Sequence, residues 1–140
     1  MGTVSPDGDP HAGRGWGLDV LEDGEVATLR VLLDASDPVT LANLAEGGAV
    51  AITAADVRTL RSIQLKGRSH GTEAPDPGDP ERAARYCAAF MIDIMETDGT
   101  PRDLLERIVP GAYVPCLVVV DDRFDQTPGP GAGERIGGRS

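Results

Sequence analysis

The eleven residues Arg58-Thr59-Leu60-Arg61-Ser62-Ile63-Gln64-Leu65-Lys66-Gly67-Arg68 hold four of the chain's 13 basic side chains and no acid. Cations without a compensating carboxylate suit an anion, and a guanidinium matches phosphate or carboxylate oxygens two at a time. As a strand, the segment puts Ser62, Gln64 and Lys66 on one face and Arg61, Ile63 and Leu65 on the other. The same mixture suits an edge strand, where solvated charges discourage unwanted pairing. Upstream, Arg14 and Trp16 alternate with Gly13, Gly15 and Gly17. Those glycines leave one strand face nearly bare, so something bulky is expected against it. Trp16 suits either the core or stacking on a ring. Ser36-Asp37-Pro38 reads as a helix start whose free N–H groups could receive an anion, although capping is the ordinary role of Ser and Asp there.

Elements must position these groups. Thr3 to Ser5 reads as the end of a strand, followed by a Pro6-Asp7-Gly8-Asp9 turn and a strand over His11 to Leu21. A second turn at Glu22-Asp23-Gly24-Glu25 leads to the β-rich run Val26 to Leu33, giving three antiparallel strands. Asp37-Pro38 starts a short helix that Gly47 can stop. Ala49 to Thr53 and Arg58 to Arg68 read as a hairpin joined by Ala54-Ala55-Asp56-Val57. The segment His70 to Pro80 is rich in Pro and Gly and reads as a loop. Asp79-Pro80 opens a longer helix to about Thr97, with Ala83, Cys87, Phe90, Met91 and Ile94 along one face. Thr100-Pro101 caps a further helix that Pro110-Gly111 closes. Leu117 to Val120 is a continuous apolar run inside a strand over Ala112 to Arg123, expected to be central or at an interface. Residues 126–140 are Gly- and Pro-rich and read as an extended tail.

This order of elements, with the Asp7-Gly8 turn, Pro10-His11-Ala12-Gly13-Arg14 and the Arg61-Ser62-Ile63-Gln64-Leu65-Lys66-Gly67 strand, resembles the pyridoxamine 5′-phosphate oxidase superfamily over roughly residues 2 to 70. The resemblance implies a mainly β fold, an antiparallel split barrel with short helices, built as one domain over residues 1–140. It implies an FMN cofactor at the interface of a homodimer, with a deazaflavin as the alternative. It makes Arg14, Trp16 and Ser62 cofactor contacts, with Arg58, Thr59, Arg61, Gln64 and Lys66 as neighbours that could serve the anion. The family's cationic Ser-Arg-Lys triplet is Ser36-Asp37-Pro38 here, and the position of its substrate lysine is Asp19. FMN binding weaker than in the oxidases follows, and vitamin B6 oxidation is not expected. Haem, held by a single histidine in some relatives, is not expected from His11 or His70.

The implied function is that of an FMN-dependent oxidoreductase acting on a small molecule, in which the flavin performs the redox step. The rival is a split-barrel binding module without a cofactor. Convergence of Arg58, Arg61 and Lys66 on one pocket would favour the first, and their dispersal into solvent the second. With 13 Lys and Arg against 23 Asp and Glu, the net charge of −10 opposes nucleic acid and anionic membranes. No apolar run approaches the roughly 20 residues of a membrane-spanning helix. The beginning of the chain lacks a secretory pattern, and Cys87 and Cys116 suit reduced core residues, so a cytoplasmic protein is expected.

Overall fold

The computed structural model describes residues 1–22, 26–45 and 47–137. Among these residues seven strands form one sheet: β1 (Gly2–Val4), β2 (Pro10–Ala12), β3 (Gly15–Glu22), β4 (Ala27–Asp34), β5 (Ala49–Ala55), β6 (Ser62–Thr72) and β7 (Tyr113–Asp125). The helices described are α1 (Pro38–Asn43), α2 (Asp79–Asp98) and α3 (Arg102–Glu106). The spatial order is β2-β1-β5-β6-β7-β4-β3, with every pairing antiparallel. The fold is mainly β and split-barrel-like.

Alternation along the strands builds the interior. Ala27, Leu29, Val31 and Leu33 of β4 point the same way and meet Val50 and Ile52 of β5 and Cys116, Val118 and Val120 of β7. The expectation of a central strand for Leu117 to Val120 holds, since β7 lies between β4 and β6. Leu44, just past α1, is fully buried in the same core. Asp37 caps α1 by accepting from the Thr40 N–H at 3.0 Å, as its position before Pro38 led one to expect.

The other side of β3 and β4 is covered by α2 and α3. Trp16, Cys87, Met91 and Leu105 form a second cluster there, so the apolar face read along α2 is the buried one. The bare strand face at Gly17 also finds its bulky neighbours here: a Cβ at Gly17 would lie 3.5 Å from Leu32 and 4.0 Å from Tyr86. The N-terminal end of α2 is fastened by charge. Asp79, 1 % exposed, accepts from both terminal nitrogens of Arg30 on β4, at 2.6 and 2.9 Å.

Four sequence expectations change. The strand over His11 to Leu21 is two strands at opposite edges of the sheet. At the break the Gly13 backbone lies close against α1, where a Cβ would be 2.5 Å from Thr40 Oγ1. Strand β6 begins at Ser62, not Arg58, and runs on to Thr72, into the segment expected to be a loop. Arg58, Thr59 and Arg61 therefore belong to the turn before it. The Asp56 carboxylate draws in the N–H groups of Arg58 and Thr59 at 2.8 and 3.2 Å, and Leu60 turns the chain at a φ of 61°. Thr100 does not cap α3; its hydroxyl donates to Asp98, and Pro101 holds the cap position without a side-chain bond. The tail is also more ordered than its composition suggests, since residues 133–136 pair with the end of β7. The turn expected at Glu22-Asp23-Gly24-Glu25 lies, beyond Glu22, outside the described residues.

Candidate functional site

Helix α2 packs against β3, at the other end of the sheet order from β1, β5 and β6. Cross-strand register sets what the β5-β6 surface carries: Ala55 faces Ser62, Thr53 faces Gln64, Ala51 faces Lys66 and Ala49 faces Arg68. Ser62, Gln64 and Lys66 thus share a face, as strand alternation requires, and Arg68 joins them. Leu65, between them, packs on the barrel core. On the far side of β6, Phe124 lies opposite Gln64 and Asp122 opposite Lys66.

A cleft of about 410 Å³ lies at this surface, bounded by Gly2, Val4, Ala49, Ala51, Lys66, Arg68 and the Asp121-Asp122 corner of β7. Its size falls in the range of small-molecule sites, roughly 300–1,000 Å³. Several of its lining residues are small, and two cations stand at its side. The corner depends on Gly67. Asp121 is left over in the register between Lys66 opposite Asp122 and Gly67 opposite Val120, and a Cβ on Gly67 would lie 1.9 Å from the Val119 carbonyl oxygen.

The sequence candidates are distributed over four places. Lys66 lines the cleft, its ammonium 4.7 Å from the Phe124 ring centroid. Gln64 is on the same surface and donates to Thr53 Oγ1 at 3.3 Å. Ser62, Thr59 and Arg61 gather at the turn and the tail: the Ser62 N–H donates to Thr127 Oγ1 at 3.1 Å, and the Arg61 N–H to Thr59 Oγ1 at 3.4 Å. Asp125, beside them, is held below the ordinary carboxylate range first by its hydrogen bonds from Thr127, with a smaller contribution from the charge of Arg61. Arg58 points to α2, donating to Asp93 at 2.8 Å and pairing with Glu96. Arg14, just before β3, and Trp16 on it stand apart, with the Arg14 guanidinium 6.0 Å from the Trp16 ring and Trp16 only 4 % exposed beneath α2.

Arg58, Arg61 and Lys66 do not converge. The cation that does accompany Lys66 is Arg68, whose Nη1 donates to the Gly47 carbonyl at 3.2 Å. Its signal in the sequence is its place in the same acid-free segment, two positions beyond Lys66 on the same face. Among the described residues no cluster of His, Cys, Asp and Glu suits a metal ion, and no helix is long and apolar enough to cross a membrane. A second hollow, of about 390 Å³, lies between α2 and α3 over Cys87 and Met91. Its charged rim residues, Arg102 and Glu106, already bond each other at 2.7 Å.

No protein-family model matches the chain, and neither does any curated protein. Among solved structures, a pyridoxamine 5′-phosphate oxidase-related, FMN binding protein from Nostoc punctiforme PCC 73102 is similar at 20% identity, covering 98% of this chain and 85% of that one, with a TM-score of 0.37. A likeness at that level carries no argument about family, ligand or reaction.

Proposed function

We propose that the protein is a flavin-binding split barrel that holds FMN in the cleft beside Lys66 and Arg68, and that it is an oxidoreductase acting on a small molecule. The observation that supports this reading is the pairing of small lining residues, Gly2, Ala49 and Ala51, with two cations on one adjoining strand. A planar ring system needs the first, and a phosphate monoester the second. Lys66 and Arg68 would take the phosphate, the guanidinium offering two parallel donors and the ammonium a mobile point charge. Bound flavin supplies the redox chemistry, and the chain's residues bind it, orient it and restrict water.

A homodimer belongs to the same reading. Leu18 and Val20 of the edge strand β3 face the core side, opposite Val31 and Leu29, yet are 39% and 57% exposed. A second copy would cover them. Light scattering is expected to give twice the 14.6 kDa chain mass; a monomer at micromolar concentration would refute the dimer.

The test of function is an absorption spectrum of the purified protein, with extraction and mass measurement of any bound chromophore and a titration with FMN. A flavin band, or saturable FMN binding, is expected. The extracted mass separates FMN from a deazaflavin. A second reading, a binding module without a redox cofactor, is favoured by the dispersal of Arg58 and Arg61 away from Lys66. Absence of both bound and titratable flavin would establish it over the first.

A further inference from the structure

Strand β7 has two successive partners on one of its edges. Residues 113–120 pair with β4, whose first residue, Ala27, lies opposite Val120. Beyond that point the chain's own tail takes the place of β4. The Asp125 N–H donates to the Glu134 carbonyl at 2.9 Å, the Gly133 N–H to the Asp125 carbonyl at 2.7 Å, and the Ile136 N–H to the Arg123 carbonyl at 2.8 Å. Phe124 and Arg135 are bridged in this short ladder. The pairing delivers the Arg135 guanidinium to Asp122, with which it forms an ion pair.

Asp122 is a cleft residue, and it is the wrong charge for an anion. Among the charged residues lining the cleft, Lys66 and Arg68 stand against Asp121 and Asp122. The lining is therefore electrically balanced on its own, and a phosphate gains little on entering it. An Arg135 partner cancels Asp122 and leaves the two cations opposed by Asp121 alone. Lys66, directly across from Asp122 in register, is then spared as a partner for that carboxylate.

We propose that Arg135 is a positioning residue of the binding site: by holding Asp122 it tips the cleft to net positive charge and makes it select a phosphate-bearing ligand over its neutral counterpart. The inference rests on reading the cleft as the flavin site, and it assigns a binding role to a tail that composition marks as a plain extension.

The full chain and its Arg135→Gln, Asp122→Asn and doubly substituted variants are titrated with FMN and, separately, with riboflavin, which has the same ring but no phosphate. Arg135→Gln is expected to weaken FMN roughly three- to fivefold at low salt, the range of an exposed ion pair, and to leave riboflavin unchanged. The loss should shrink as salt is added. The double variant should regain the FMN affinity of the parent, because the carboxylate that Arg135 masks is gone. Equal weakening of FMN and riboflavin, or no recovery in the double variant, would mean that Arg135 only anchors the tail, and would overturn the proposal. Unchanged FMN affinity in Arg135→Gln overturns it too, with the flavin reading intact. If the parent binds neither ligand, the flavin reading falls and this inference falls with it.

Discussion

Replacing Asp79 with Asn should unfasten α2 from the sheet, and the geometry bounds the cost. The carboxylate is buried, accepts two bonds from Arg30 and one from the Asp76 N–H at 2.7 Å, and lies 3.0 Å from Arg82 Nη1. The Arg30 hydrogen bonds, against the opposing effect of burial, hold the Asp79 carboxyl at about 2 instead of 3.8. At about 1.4 kcal/mol per pH unit that difference amounts to roughly 2 kcal/mol. Breaking a fully buried ion pair costs roughly 3–5 kcal/mol. Arg30 keeps a second acid, Glu73, 3.5 Å from its Nε, so the cost belongs at the lower end. Asp79→Asn is therefore expected to lose about 2–3 kcal/mol in urea unfolding at neutral pH, a fall of roughly 5–10 °C in Tm for a chain of this size. The sign with pH follows from the lowered value. The contribution is complete above the unfolded-state value of 3.8 and fades as pH falls through 3.8 towards about 2. The stability difference between parent and variant should accordingly narrow over that window. A loss below 0.5 kcal/mol at pH 7, or a difference that stays constant from pH 5 to pH 2, would refute the role given to this ion pair.

Three further outcomes are expected. Leu60→Gly should stabilise the protein by roughly 0.5–1 kcal/mol in urea, because an exposed side chain there occupies a left-handed backbone position; a loss of stability would show that Leu60 makes a contact worth more than its strain. Trp16→Ala should cost roughly 3–5 kcal/mol as a core truncation beneath α2, and Trp16→Phe, in thermal melts and FMN titration, should lose stability without a matching loss of affinity. Lys66→Gln with Arg68→Gln should reduce FMN affinity by at least tenfold, the value of one charge-assisted hydrogen bond being about 1.5–3 kcal/mol, whereas Arg61→Ala should leave it unchanged; the reverse result in calorimetry would move the phosphate to the turn.

Local chemistry was the legible part of this molecule. Strand alternation placed Ser62, Gln64 and Lys66 on one face, the spacing of Ala83, Cys87 and Met91 gave the buried stripe of α2, and Asp37-Pro38 gave the start of α1. What could not be read depends on partners distant in sequence. Arg58 looked like a member of a cationic strand, but the Asp56 carboxylate bends the chain before the strand begins and the acids of α2, 35 and 38 residues away, take up its charge. Trp16 looked free to stack on a ligand until α2 was laid over it. The tail pairs through its backbone, to which side-chain composition is nearly silent. Composition offered no sign that Arg135 would reach Asp122.

The strand order has a consequence for how the chain comes to be folded. The β2-β1-β5-β6 ladder and the β3-β4 ladder are joined edge to edge only through β7, the last of the described strands along the chain. During synthesis both ladders are complete long before that strand emerges. Until then β4 and β6 each present an open edge, and β4 exposes Leu29, Val31 and Leu33 without the Val118 and Val120 that later cover them. Such an edge is a template for pairing with the wrong neighbour. A net charge of −10 works against such contacts, because copies of the chain repel one another. The acidity that opposes nucleic acid and anionic membranes thus also opposes mispairing of a barrel whose closing strand arrives last.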